Sequence, residues 1–100
     1  SAFTIAGGSI GVTNNKFKKW HATFWENLET SINLHKINKL IVINHEDCGA
    51  AKIVHNNKNF NSSIENSIHK KSFSKLKKTL KKKFPNIKVT FKILSIKNAL

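Results

Sequence analysis

The sequence predicts an α/β domain with a mainly parallel sheet flanked by helices. Three observations point there. Leu40-Ile41-Val42-Ile43 is a run of four consecutive aliphatics bounded by polar residues, which reads as a short strand buried on both faces. Two long stretches, about 16–34 and 63–84, place apolar residues three and four apart, the spacing of amphipathic helices. Ile87, Val89, Phe91 and Ile93 alternate with Lys88, Thr90 and Lys92, the period of a strand with one covered face. The resulting order of strand, helix, strand, helix, strand implies parallel pairing through right-handed crossovers.

Taken in order, Ala2-Phe3-Thr4-Ile5-Ala6 reads as a short first strand, closed by Gly7-Gly8. A double glycine reaches backbone shapes closed to other residues and lets a loop lie against another chain segment or a ligand, although a plain turn is the simpler reading. Thr13, Asn14 and Asn15 are competent helix caps. After them Phe17, Trp20, Phe24, Leu28, Ile32 and His35 form the apolar stripe of the first long helix, with Trp25 flanking it. His21 and His35 read as surface or boundary residues. A short connection, 36–39, leads to the central strand.

Beyond that strand, Gly49 opens a small-residue segment over 50–54 that suits a helix start, and 55–61 is an asparagine-rich loop. Ser62 and Glu65 have the spacing of a capping box. The second long helix carries Ile64, Ile68, Leu76, Leu80 and Phe84 on one face, with Phe73 near it. Eight lysines (Lys70, Lys71, Lys75, Lys77, Lys78, Lys81, Lys82 and Lys83) occupy the other. Pro85-Asn86 ends the helix.

One hundred residues make one domain, and a 39% apolar content is that of a globular chain. No apolar run approaches the roughly 20 residues of a membrane span, and the amino-terminal residues lack a signal-peptide pattern. A lone cysteine cannot close an internal disulfide, which points to a reducing, cytoplasmic setting. The sequence lacks methionine, its first residue included, as a processed chain or a fragment would.

The net charge of +13 is of the size that nucleic-acid binders carry. Two features argue against that partner. All 18 basic residues are lysine, so none can make the bidentate contacts arginine makes to phosphate and guanine. The abundance of Asn, Lys and Ile is also what AT-biased coding produces.

The residues of chemical interest cluster at the carboxyl end of the central strand, where open α/β sheets place their sites. His45 and Cys48 stand three apart there, followed by Gly49. Three readings of Cys48 stand side by side. Thiolate and imidazole are both favoured zinc ligands, but two make half of a tetrahedral site. Alternatively, a helix N-terminus at Gly49 together with His45 lowers the thiol pKa and makes Cys48 a nucleophile. A phosphatase-like arrangement of that kind needs an arginine, and the chain has none. The third reading is a buried, inert cysteine. Asp47 and Glu46 either orient His45 as hydrogen-bond acceptors or are solvated loop carboxylates.

Asn44-His45-Glu46-Asp47-Cys48-Gly49-Ala50 after an Ile/Val strand resembles the His-x-x-Cys-Gly motif of the β-class carbonic anhydrases. Phe3 to Gly8 is similar to the strand and glycine loop that lies between that family's two metal motifs. More narrowly, the chain resembles a small carbonic-anhydrase-like branch with a His-x-Asp-Cys-Gly-Ala loop and a Lys-rich helix ending in Phe-Pro, here Phe84-Pro85. The resemblance covers most of the chain, but only the 45–49 motif is specific.

It implies a three-layer fold, residues 1–100 as a single β-carbonic-anhydrase-like domain, and a likeness in dimerisation. It also implies zinc held by His45 and Cys48, with Gly7, Gly8, Asp47 and Gly49 in the site loops. The implied reaction is reversible hydration of carbon dioxide to bicarbonate by a zinc-bound hydroxide. The chain departs from the family in lacking the Cys-x-Asp-x-Arg segment that supplies a further ligand and an Asp/Arg gate, as an N-terminally truncated member would. A non-catalytic domain of the same fold and a basic binding module using the lysine face are therefore the alternatives.

Overall fold

The computed structural model describes residues 5, 7–45, 49–55 and 61–94. Its elements are α1 (Ser9–Thr13), a 3-10 turn η1 (Asn15–Trp20), α2 (His21–His35), β1 (Lys39–His45), α3 (Gly49–His55), α4 (Ser62–Lys83) and β2 (Lys88–Leu94). β1 and β2 pair in parallel, with Lys39 opposite Lys88 and His45 opposite Leu94. The class is α/β, and the described residues form one two-stranded parallel sheet. Of the predicted first strand, Ile5 alone is described and is not in a strand; the remainder, 2–4 and Ala6, lies outside the described residues.

The inner face of the sheet presents Leu40 and Val42 from β1 and Val89 and Phe91 from β2. These pack on a core of Val12, Leu28, Leu76 and Leu80, which joins α1, α2 and α4. The opposite face is open, with Ile41 56% and Ile43 49% exposed. β1 is thus covered on one face, not the two its unbroken aliphatic run predicts. The reason is that α1, α2 and α4 share the inner core, and no described element covers the outer side.

The first long helix is broken near its start, where Phe17 takes the non-helical values φ −114° and ψ 27° inside η1. Phe17 stacks on Trp20 with ring centroids 4.9 Å apart and joins a second core around Ile10, Ala50 and Ala51, away from the core that Leu28 serves. Trp25 packs in the Leu28 core, meets Phe24 edge-on, and carries Lys83 Nζ 5.2 Å from its ring centroid.

α4 begins one residue earlier than predicted. Its cap is Asn61, whose side-chain oxygen accepts the Ile64 amide at 2.9 Å, and not Ser62. Its lysines lie exposed along a helix of 22 residues. Lys75 also reaches back to donate to the Thr13 carbonyl at 2.9 Å. α1 was not apparent in the sequence, yet all five of its residues are buried.

Candidate functional site

Gly7 and Gly8 form a turn in which the Gly8 amide donates to the Ile5 carbonyl at 3.1 Å. Both have positive φ, 78° and 54°, and both lie too close to a neighbour for a side chain. A Cβ on Gly7 would sit 2.5 Å from the Ala50 Cβ. One on Gly8 would sit 2.5 Å from Asn44 Oδ1 and 2.7 Å from the Ile43 carbonyl oxygen. The double glycine is therefore a close-approach loop, seated on the carboxyl end of β1 beside the start of α3.

That seating is held by a buried polar chain. The Ser9 amide N–H donates to Asn44 Oδ1 at 2.8 Å. This fixes the amide orientation, so Asn44 Nδ2 donates to His69 Nδ1, also at 2.8 Å. With Nδ1 accepting, the neutral ring carries its proton on Nε2 and donates it to Glu65 Oε2 at 3.0 Å. Alongside, the Ser72 hydroxyl donates to the His69 carbonyl at 2.8 Å, so the Ser9 hydroxyl donates to Ser72 Oγ at 2.6 Å. The Thr13 hydroxyl donates to the Ser9 carbonyl at 2.7 Å. Ser9, Asn44 and His69 are each about 1% exposed or less.

Ser, His and Glu are the residue types of a nucleophilic triad, but the geometry is different. The Ser9 hydroxyl bonds Ser72 and not the imidazole, and both ring nitrogens are occupied. The cluster is a support. It anchors the glycine loop and α1 to β1 and α4.

His45 ends β1 one residue beyond Asn44 and therefore on the open face, exposed. Gly49 is the first residue of α3. Glu46, Asp47 and Cys48 lie outside the described residues. Among the described residues no three or more His, Cys, Asp or Glu side chains gather as a metal site. The donor chemistry of His45 and Cys48 suits zinc. A catalytic zinc takes three protein ligands, one more than this pair supplies. No described helix is long and apolar enough to cross a membrane.

Apolar periodicity does not single out the support residues His69, Ser9 and Ser72. A signal for His69 exists in retrospect: Glu65, His69, Ser72, Leu76 and Leu80 recur at steps of four, three, four and four, and all are buried. The buried stripe of α4 is thus polar in its first half, where Ile64 and Ile68, expected in the core, are only half-buried.

No family model and no solved structure matches this chain. It is similar to an uncharacterized protein of Rickettsia bellii, 30% identical over 87 residues, which are 86% of this chain and 53% of that one. It is also similar to an uncharacterized protein of Rickettsia conorii, 30% identical over 87 residues, 86% of this chain and 47% of that one. The chain spans about half the length of the curated relatives it matches.

Proposed function

We propose that this chain is a β-carbonic-anhydrase-like α/β domain that binds zinc through His45 and Cys48, in a reducing, cytoplasmic setting. The observation that carries the reading is the Gly7–Gly8 loop seated on the carboxyl end of β1, with Asn44 gripping the Ser9 amide next to His45. This is where a parallel sheet presents ligands. The three-layer sheet and the dimer of the resembled family belong to the same proposal. Bound zinc would supply a Lewis acid and a water whose pKa falls to about 7. Hydration of carbon dioxide requires ligands beyond this pair; without them the domain is non-catalytic.

Metal content per chain, measured on the purified protein and on Cys48→Ala and His45→Ala, tests the reading. About one zinc per chain, lost in both variants while helical content is kept, is the expected result for a site with one catalytic-type ion. Absence of zinc from the unaltered protein overturns it. Hydration kinetics on the zinc-loaded protein then separate an enzyme from a non-catalytic domain, and light scattering reports the dimer.

The exposed lysines of α4 favour a second reading, a basic module for nucleic acid. Binding that falls steeply with salt and is abolished by charge reversal at Lys77, Lys78 and Lys81 supports it. No binding above about 50 mM salt rejects it.

A further inference from the structure

The open face of the β1–β2 pair has a composition that describes its partner. Parallel strands are ordinarily covered on both faces, because their apolar side chains project both ways. Here Ile41, Ile43 and Leu94 stand 56%, 49% and 49% exposed on one side of the sheet. The cations of that side are arranged around them. The register sets Lys39 opposite Lys88 beyond Ile41, and Lys92 opposite Ile43. Neither strand contains an acidic residue.

We propose that this face docks an amphipathic helix of another polypeptide, its apolar stripe edged by aspartate or glutamate. A helix is the element that covers a parallel sheet. Strands of seven residues span about 20 Å, which a helix of about 14 residues matches. The charge of the partner follows from the rim. A second copy of this chain laid face to face would bring two sets of Lys39, Lys88 and Lys92 together with no anion between them among the described residues of the two strands, which opposes association. Acidic edges neutralise the same three ammonium groups and orient the helix, with its carboxylates concentrated at the Lys39–Lys88 end.

The test uses two synthetic 14-residue peptides with the same leucine stripe, one edged with glutamate and one with lysine, titrated against the whole chain by fluorescence anisotropy. The acidic peptide is expected to bind at least about tenfold more tightly than the basic one. Lys39→Glu/Lys88→Glu/Lys92→Glu is expected to invert that preference, and Ile41→Glu to abolish binding of both, with circular dichroism showing that each variant is folded. Reversal of Lys77, Lys78 and Lys81 on α4 is expected to leave the acidic peptide bound. The proposal is overturned by equal binding of the two peptides, by no binding, or by binding that Ile41→Glu leaves intact or the α4 reversal removes. A dimer that Ile41→Glu dissociates also overturns it, since a second copy would then be the occupant.

Discussion

The carboxamide of Asn44 donates to Nδ1 of His69 at 2.8 Å, linking the last inward residue of β1 to the first half of α4. The two are 25 residues apart in sequence and about 1% exposed. Each leaves the other's polar atoms satisfied where water cannot reach. Losing one partner therefore costs more than the bond itself, because the survivor keeps its desolvation penalty.

Asn44→Ala strips the partner from both the Ser9 amide and His69. We expect a loss of about 2–4 kcal/mol in urea-induced unfolding. Combined with His69→Ala, the losses should fall short of additivity by about 1 kcal/mol or more, as for contacting groups in one network. Strict additivity would show that the two residues act separately.

Glu65 serves His69 as an acceptor. Glu65→Gln keeps an acceptor oxygen and should cost less than about 1 kcal/mol, whereas Glu65→Ala should cost about 1–3 kcal/mol. Nitrogen-15 spectra of the neutral His69 ring should show the Nε2–H tautomer. The Nδ1–H tautomer would contradict the donor order from Ser9 to Glu65.

At the glycine loop, Gly7→Ala meets the Ala50 Cβ at 2.5 Å and keeps a φ of 78°. We expect a loss of about 2 kcal/mol or more. Pairing it with Ala50→Gly removes the clash but not the backbone strain, so the double variant should be more stable than the sum of the single losses predicts. Gly8→Ala has no such rescue, because one neighbour it meets is the Ile43 carbonyl.

Lys36 closes α2 in the left-handed region, φ 54°, with its amide donating to the Ile32 carbonyl. Its side chain is exposed. Lys36→Gly should stabilise the protein by about 0.5–1 kcal/mol, since glycine adopts this cap without strain. A lower thermal midpoint for the variant would mean that the lysine side chain contributes something the cap geometry does not explain.

Leu76 and Leu80 are each 1% exposed at the centre of the core shared by α1, α2, α4 and the sheet. Truncating either to alanine should cost about 2–5 kcal/mol. A loss under about 1 kcal/mol would indicate a core loose enough to collapse around the gap.

The parts of this protein legible in its sequence are those whose cause lies within a few residues. Phe84-Pro85 ends α4 because proline cannot continue a helix, and the alternation from Ile87 to Ile93 predicts β2 and its inward side. The glycine pair and the carboxyl end of β1 both stand out in the sequence, and the structure seats the first against the second at Gly8 and Asn44. Of the pair on which the zinc reading turns, His45 ends β1, while Cys48 lies outside the described residues, as does the neighbouring Asp47.

Three features were decided only by the tertiary structure. The sequence Ser9-Ile10-Gly11-Val12-Thr13 has poor helix propensity and is too short to nucleate a helix alone, yet it is helical because Asn44, Ser72 and Lys75 bond it from outside. The aliphatic run of β1 does not reveal that one of its faces is left uncovered by every described element. The buried stripe of α4 runs through Glu65, His69 and Ser72, polar residues that an apolar periodicity assigns to solvent. Local pattern determines which segments are helix or strand, because hydrogen bonding and side-chain period act over three or four residues. Burial of a polar side chain depends on a partner elsewhere in the chain, and only the folded arrangement supplies it.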